Sequence, residues 1–400
     1  MKKKNKKIYI TSNVSIDYFF FLCKIFKELG YEVKPIYLIS ESNYRLSSKS
    51  LNFKKLYLRM QMYIFYPIYV LILGLISDKS SIFIVSSNTF FTPFLMNIIL
   101  KFKGNKIIHM LYDLYPDAIE VAGLINPNSF ISKIIGIITS YSLKKCSGTI
   151  FLGDYLRSHA ESRWGKCRQS EVIDISTDIT LFDDKISRHS SNEKIKLHYG
   201  GQLGNLHDAN SVVSLVKSLY SSDISNNVEF NFTISGSKAD YLRKTLRNYP
   251  IKVSPTMKSK EWRNYIKNFD IGIVSLTPGG ATVCLPSKTY AMMAGGLAIL
   301  AITPEWSDLA RLIIDNQAGW VFDNSVNENF PKTYSKNYIH HFKSKQSNKE
   351  IILPIIDKLR YLIKNREYLF QIRENSFMNV RKNFNEYNLC KKWEGFIEKI

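Results

Sequence analysis

The chain has 400 residues, 45% of them hydrophobic and 22% charged; that composition excludes wholesale disorder, and the length points to two domains, at most three. Fifty-five Lys and Arg against 34 Asp and Glu leave a formal charge of +21, which favours polyanionic company such as nucleic acid, an anionic membrane face or phosphorylated substrates. A Lys-, Asn- and Ile-rich genome bias would give the same excess.

Five lysines crowd the start of the chain around the strand-like IYIT, but no apolar core of signal-peptide length follows before Asp17. KKIYIT is predicted as a strand, Ile16 to Leu29 as an amphipathic helix closed by Gly30, and EVKPIYLI as the next strand. After a polar loop comes MYIFYPIYVLILGLIS, Met62 to Ser77, interrupted by Pro67 and Gly74. Its length of about 15 residues falls short of the roughly 20 that span a bilayer. It reads as a buried helix under a sheet or as a helix partly exposed at a lipid interface. SIFIVSS is the continuous β-branched run of a strand buried on both faces. A helix near Thr92 to Lys101, the strands NKIIHML and GTIFLG, and the helix DYLRSHAESRW follow. Strands alternating with helices in this way predict βαβ units on a parallel sheet.

Residues 182–194 are polar and without periodicity, and are read as an interdomain linker. The alternation then restarts with IKLHYGG, a helix from Asp208 to Leu219, VEFNFTISG, a helix near Lys238 to Asn248, and IKVSP. A helix from Lys260 to Asn268, DIGIVSL, a helix from Pro286 to Ala294 and LAILAI complete it. Residues 325–350 are read as loop and the last 50 as helical. The expected domains are 1–184 and 195–380, with 381–400 a helix packing back toward the first.

The five cysteines (Cys23, Cys146, Cys167, Cys284, Cys390) are scattered and form no CxxC pair. This argues against a disulfide framework or a Cys-ligated zinc and fits a reducing cytoplasm. No Asp-x-Asp, HExxH or GxSxG occurs, and the histidines show no ligand spacing apart from the pair His340 and His341.

Three segments are candidates for chemistry. In LHYGGQLGNLHD a strand ends in a loop holding Gly200, Gly201 and Gly204, and a helix starts near Asp208. Such a turn presents backbone N–H groups to an anion, although a tight turn needing positive φ asks for the same glycines. In SLTPGGATVCLPSKTYAMMAGGLAIL, Pro278, Gly279 and Gly280 make an irregular loop, and Pro286 or Ser287 opens a helix with Lys288 in its first turn. A cation there opposes the helix dipole, which makes sense if a diphosphate binds beside it; the plain alternative is a solvated surface lysine. In HMLYDLYPDAIEVAGLI, His109, Asp113 and Asp117 follow a strand, and two acids four apart suit acid–base or hydroxyl-binding work. A helix cap with a first-turn acid is the alternative.

These segments resemble the bacterial GT-B glycosyltransferases that assemble surface polysaccharides such as capsule and O-antigen, and in particular the retaining group marked by two glutamates eight positions apart. DLYPD at 113–117 resembles that group's Asp-aromatic-aromatic-Pro-acid segment, and YGGQLGNLHD its glycine-rich loop opening the C-terminal domain. PSKTYAMMAGGLAIL resembles its Pro-Ser-Lys-x-Tyr-x-x-Met-Ala-x-Gly helix. The chain departs at the glutamate pair, with Ala291 and Val283 at the two positions, so the ribose contact that the resemblance implies for the second glutamate is absent or supplied elsewhere.

The resemblance implies an α/β fold of two Rossmann-like domains facing each other across a cleft. It implies a metal-independent glycosyltransferase of hexosyltransferase type, which uses a nucleotide diphosphate sugar and no cofactor, and a lipid-linked saccharide acceptor. His109, Asp113, Asp117 and Lys288 are the expected catalytic residues. Gly201, Gly204, Asn205, Gly236, Ser237, Gly279, Gly280, Thr282, Ser287 and Thr289 are the expected substrate-binding residues. The charge adds an anionic membrane surface as partner, with the protein peripheral at the cytoplasmic face. Two other readings stay open: a nucleotide-sugar 2-epimerase of the same fold, and a basic nucleic-acid-binding module using KNREYLFQIRENSFMNVRKNF, although nucleic acid is not the expected partner.

Overall fold

A computed structural model describes residues 6–41, 43–44, 52–100, 102–188, 193–326, 344–345 and 348–400. The first lysines, the pair His340 and His341, and most of the polar stretch 325–350 lie outside the described residues. The chain divides into two compact units: Met1–Glu120, Leu124–Asp178 and Glu386–Ile400 form the first, Val121–Gly123 and Ile179–Asn385 the second.

The first unit is built on a six-stranded parallel sheet. Its spatial order is Glu32–Ile36, Lys7–Thr11, Ile82–Ser86, Lys106–Leu111, Gly148–Phe151, Ser170–Val172. Ile82–Ser86 is buried at every position because strands flank it on both sides and helices cover both faces. Helix Glu386–Lys399 belongs here: its Trp393, 0% exposed, packs edge-on against Phe26 of helix Asp17–Glu28, ring centroids 5.0 Å apart. Lys392–Asp174 and Lys399–Glu171 ion pairs, both 2.8 Å, close its rim.

The apolar stretch near residue 70 differs from its expected length. The helix runs from Asn52 to Ile76, with a π-helical turn at Gln61–Phe65 just ahead of Pro67. Pro67 has no N–H and its ring crowds the preceding turn, so a widened turn absorbs it without ending the helix. The resulting Lys55–Ile76 helix has 22 residues and is, by length and composition, long and apolar enough to cross a membrane. Its inner stripe is tied to the sheet, however. Tyr66 and Val70 are fully buried, and the Tyr66 hydroxyl donates to Thr11 Oγ1 at 2.8 Å. Its outer stripe is open, with Ile68, Ile72, Leu75 and Ile76 all at least half exposed. One helix therefore presents both of the faces that its sequence offered as alternatives.

Helix Phe130–Lys145, capped by Ser129 through a bond from Ser132 N, had no clean signal in the sequence. Its apolar residues lie on both sides, Ile135 and Leu143 inward and Ile131, Ile134 and Ile137 outward, so no amphipathic period marks it.

The second unit repeats the plan with a six-stranded parallel sheet. Its order is Lys252–Ser254, Val228–Ser235, Ile195–Gln202, Ile271–Ser275, Ala298–Ile302, Gly319–Phe322. The last strand escaped the sequence because it is four residues long, half-buried and at the edge. Helix Arg366–Asn383 carries the basic aromatic-rich stretch, and its arginines are spent on packing. Buried Arg373 bonds Gly296 O at 2.8 Å and Asp270 Oδ1 at 3.1 Å, while Arg381 bonds Ala294 O at 3.0 Å and Asp183 O at 2.6 Å.

Candidate active site

In a parallel α/β sheet the carboxyl ends of the strands open toward ligands, since the loops there are free of sheet pairing. In the second unit Gly201 (φ +118°) ends one strand and Gly236 (φ +111°) follows its neighbour, both in backbone conformations that L side chains rarely adopt. The two loops interlock: Leu203 N donates to Ser235 O at 2.7 Å and Lys238 N to Leu203 O at 2.9 Å. A β-carbon on Gly236 would stand 2.8 Å from Leu203 O. Ser237 Oγ donates to Asn205 Oδ1 at 3.2 Å, so these two expected binding residues meet. Gly204 N is taken by His207 Nδ1 at 3.2 Å. Buried Asp208 caps helix Ala209–Tyr220 through Ser211 N at 3.0 Å and accepts from Asn324 Nδ2 at 2.8 Å.

The segment expected as an irregular loop at Pro278–Gly280 is a short helix, Pro278–Val283, buried throughout. Thr277 caps it by accepting from Gly280 N at 3.0 Å, and Pro278 takes the first helical position, where its missing N–H costs nothing. Gly280 is packed against the first loop, since a β-carbon there would lie 2.2 Å from Leu206 O. Thr282 is enclosed and donates to Pro278 O at 3.1 Å. The next helix runs Lys288–Ala294, two residues later than expected, because the Pro286 carbonyl accepts from Thr289 N in a tight turn before it. Ser287 is exposed at its start, whereas Thr289 is fully buried, its hydroxyl without a hydrogen-bond partner among the described residues.

Lys288 is half-buried and lies across both features. A β-carbon on Gly201 would be 2.4 Å from its Nζ, and the same Nζ sits 5.2 Å from the centroid of the Trp262 ring. Burial, and then the Lys288 charge, push His198 down to about 3 and His207 to about 4. Both imidazoles are neutral at pH 7, so Lys288 carries the positive charge among these groups. Trp262 and His198 were not singled out from the sequence. His198 stands in the strand that leads into the glycine-rich loop, where it reads as a strand residue, and nothing local marks a tryptophan in helix Ser259–Ile266 as a neighbour of Lys288.

The candidates of the first unit separate sharply. His109, 3% exposed, has neither ring nitrogen partnered among the described residues, and burial lowers it to about 4. Asp113 lies two residues past strand Lys106–Leu111, half-buried, its N–H donating to Ser87 Oγ at 3.1 Å. Burial raises its carboxyl to about 6. Asp117, by contrast, is fully enclosed. It meets His159 Nε2 at 2.5 Å, Arg163 Nη1 at 2.8 Å and Trp164 Nε1 at 2.8 Å. Burial opposes its charge, yet His159 and Arg163 together hold the carboxyl below its usual range. The two acids therefore differ in setting: Asp117 is a buried knot tying its helix to Asp154–Trp164. Among the described residues no group of three His, Cys, Asp or Glu is placed to hold a metal.

No family model and no curated protein matches the sequence. Solved structures do. HepE from Anabaena, in complex with UDP, superposes with a TM-score of 0.65 at 10% identity, covering 99% of this chain and all of that one. A glycosyltransferase from Rickettsia africae gives a TM-score of 0.62 at 12% identity over 99% of both chains. TarM from S. aureus, in complex with fondaparinux, α-GlcNAc-glycerol and UDP, gives 0.57 at 14% identity, covering 83% of this chain and 58% of that one. At these identities the likeness is one of fold: two Rossmann-like domains, as in these glycosyltransferases.

Proposed function

We propose that the protein is a glycosyltransferase that moves a hexosyl group from a nucleotide diphosphate sugar to a lipid-linked saccharide acceptor in bacterial surface polysaccharide synthesis. The observation carrying this reading is Lys288, held over Gly201 at the carboxyl edge of the second sheet, in a fold whose solved neighbours were crystallised with UDP. Cleaving the sugar–phosphate bond builds negative charge on the departing diphosphate. A preorganised ammonium placed where that charge develops lowers the barrier. Gly201, Gly236 and the Asn205–Ser237 pair form the surface on which the phosphates and sugar rest. No Asp-x-Asp occurs, so Lys288 takes the role of a diphosphate-bound metal, and turnover is expected to survive EDTA.

Asp113 is the acceptor base in this reading. Its raised pKa, about 6, places it near the operating pH, where a carboxylate takes a proton most effectively. His109 lies in the strand that ends two residues before Asp113 and is buried.

The acceptor reading rests on the outer face of the first unit. Helices Tyr66–Ile76, Thr92–Leu100 and Phe130–Lys145 pack side by side. Each turns apolar side chains outward: Ile72 and Leu75, Ile98, Ile134 and Ile137, with Phe102 at 92% exposure. Lys55 and Arg59, on the preceding helical segment Asn52–Met60, and Lys133, on Phe130–Lys145, are exposed. An apolar face rimmed by cations suits an anionic bilayer, the source of a lipid-linked acceptor, with the protein peripheral at the cytoplasmic side. Tyr66 and Val70 sit in the core, so the long helix lies on such a surface without crossing it.

The test is thermal shift against a panel of nucleotide diphosphates, UDP first, followed by transfer of radiolabelled sugar with and without membrane extract. A ligand that binds only the folded state raises its apparent stability. No stabilisation by any nucleotide diphosphate overturns the donor reading. Transfer or epimerisation without extract overturns the lipid acceptor.

A further inference from the structure

Behind Lys288 lies a second layer that the proposed chemistry does not by itself require. Trp262 is 7% exposed, and its indole Nε1 donates to His198 Nε2 at 3.1 Å. Thr233 Oγ1, on the adjacent strand, lies 3.3 Å from the same nitrogen. His198 is wholly buried, walled by Phe269 at 4.7 Å and Tyr265 at 5.7 Å between ring centroids. An imidazole that accepts at Nε2 carries its proton on Nδ1, and so the hydrogen-bond network assigns one neutral tautomer.

We infer that Trp262, locked by His198, is a positioning residue for Lys288, and that the Gly200–Gly201 pair exists to admit this stack; the inference rests on the reading of Lys288 as the diphosphate ligand. An indole has one N–H donor, and here it is spent on His198, so the ring has a single orientation. That orientation places the ring near Lys288 Nζ, 5.2 Å from its centroid, where the negative π cloud attracts the cation. The glycines clear the two contacts in turn. A β-carbon on Gly200 would lie 2.7 Å from His198 Nε2 and 2.8 Å from Trp262 Nε1, breaking into the bond that locks the ring. A β-carbon on Gly201 would lie 2.4 Å from Lys288 Nζ, displacing the ammonium itself. His198 must stay neutral for this to work, because a second cation behind the ring would repel Lys288, and burial keeps it so.

Two readouts test this, one without nucleotide. The lysines are reductively ¹³C-methylated, which keeps their charge, and the Lys288 signal is assigned through Lys288→Arg. In the wild type it should be ring-current shifted away from the exposed lysines. Trp262→Leu and His198→Phe should move it back toward them, while Trp262→Phe, which keeps an aromatic face, should retain much of the shift. By titration calorimetry Trp262→Leu should weaken UDP binding by about 3- to 30-fold, the range of one cation–π contact, and leave uridine binding unchanged. A wild-type Lys288 signal indistinguishable from exposed lysines overturns the inference. So does a Trp262→Leu variant that binds UDP as the wild type does while Lys288→Ala does not. Failure of the wild type to bind any nucleotide diphosphate would instead overturn the donor reading, with the methyl signal still deciding where Lys288 is held.

Discussion

Lys288 and Gly201 are fitted to each other: the ammonium occupies the space that any side chain on residue 201 would fill, 2.4 Å from where its β-carbon would stand. A backbone at φ +118° admits that approach, and the lysine reaches it from the first turn of a different element 87 residues away in sequence. Their relationship makes both positions sensitive for one reason.

Lys288→Ala is expected to lower kcat by roughly 10²–10³-fold, the scale of losing one preorganised charge stabiliser. Gly201→Ala should lower it by about tenfold or more, because it strains the turn and pushes the ammonium aside. Steady-state kinetics on folded variants would check both. Near wild-type turnover in Lys288→Ala would return that lysine to the solvated surface.

Activity should depend on Asp113 with a definite sign. A base works in its deprotonated form, and burial holds this carboxyl near 6. kcat/KM should therefore rise about tenfold per pH unit up to about pH 6 and level off above it. Asp113→Asn should abolish the acidic limb together with most of the activity. A pH profile in which that variant keeps the limb would assign it to another group.

Asp117 should behave differently from its neighbour four residues earlier. Removing one partner of a buried, multiply bonded ion pair costs about 3–5 kcal/mol. Asp117→Ala leaves His159, Arg163 and Trp164 without their shared acceptor, so its denaturant midpoint should fall sharply. Turnover per folded molecule should change far less. A stable variant without activity would restore Asp117 as a chemical group.

The apolar face of the first unit predicts reversible adsorption. Each Lys or Arg near an anionic surface contributes about 1 kcal/mol, an attraction that salt screens within a Debye length. Sedimentation with phosphatidylglycerol vesicles should be strong at low salt and weaken toward 1 M. The double variant Ile72→Asp/Leu75→Asp should bind less at every ionic strength. Protein that remains in the supernatant throughout would point to a soluble acceptor.

Much of the fold was written locally. Runs such as IFIVS and AILAI are too apolar for anything but strands covered on both faces, and their alternation with helical periods leaves a parallel sheet as the economical arrangement. The glycine-rich turn at 200–204 and the lysine opening helix Lys288–Ala294 were legible as local features: glycines suit a tight turn, and a cation in a helix's first turn opposes the helix dipole. Local pattern could not divide Asp113 from Asp117. Both are acids near one proline, and what separates them is a histidine 42 residues on, which sits on a helix that only the folded sheet brings alongside. Nor could it announce Trp262 and His198, whose roles come from a hydrogen bond spanning 64 residues and from the absence of side chains on two glycines. Burial and charge are properties of the packed neighbourhood, whereas periodicity reports only which way a side chain faces along its own element.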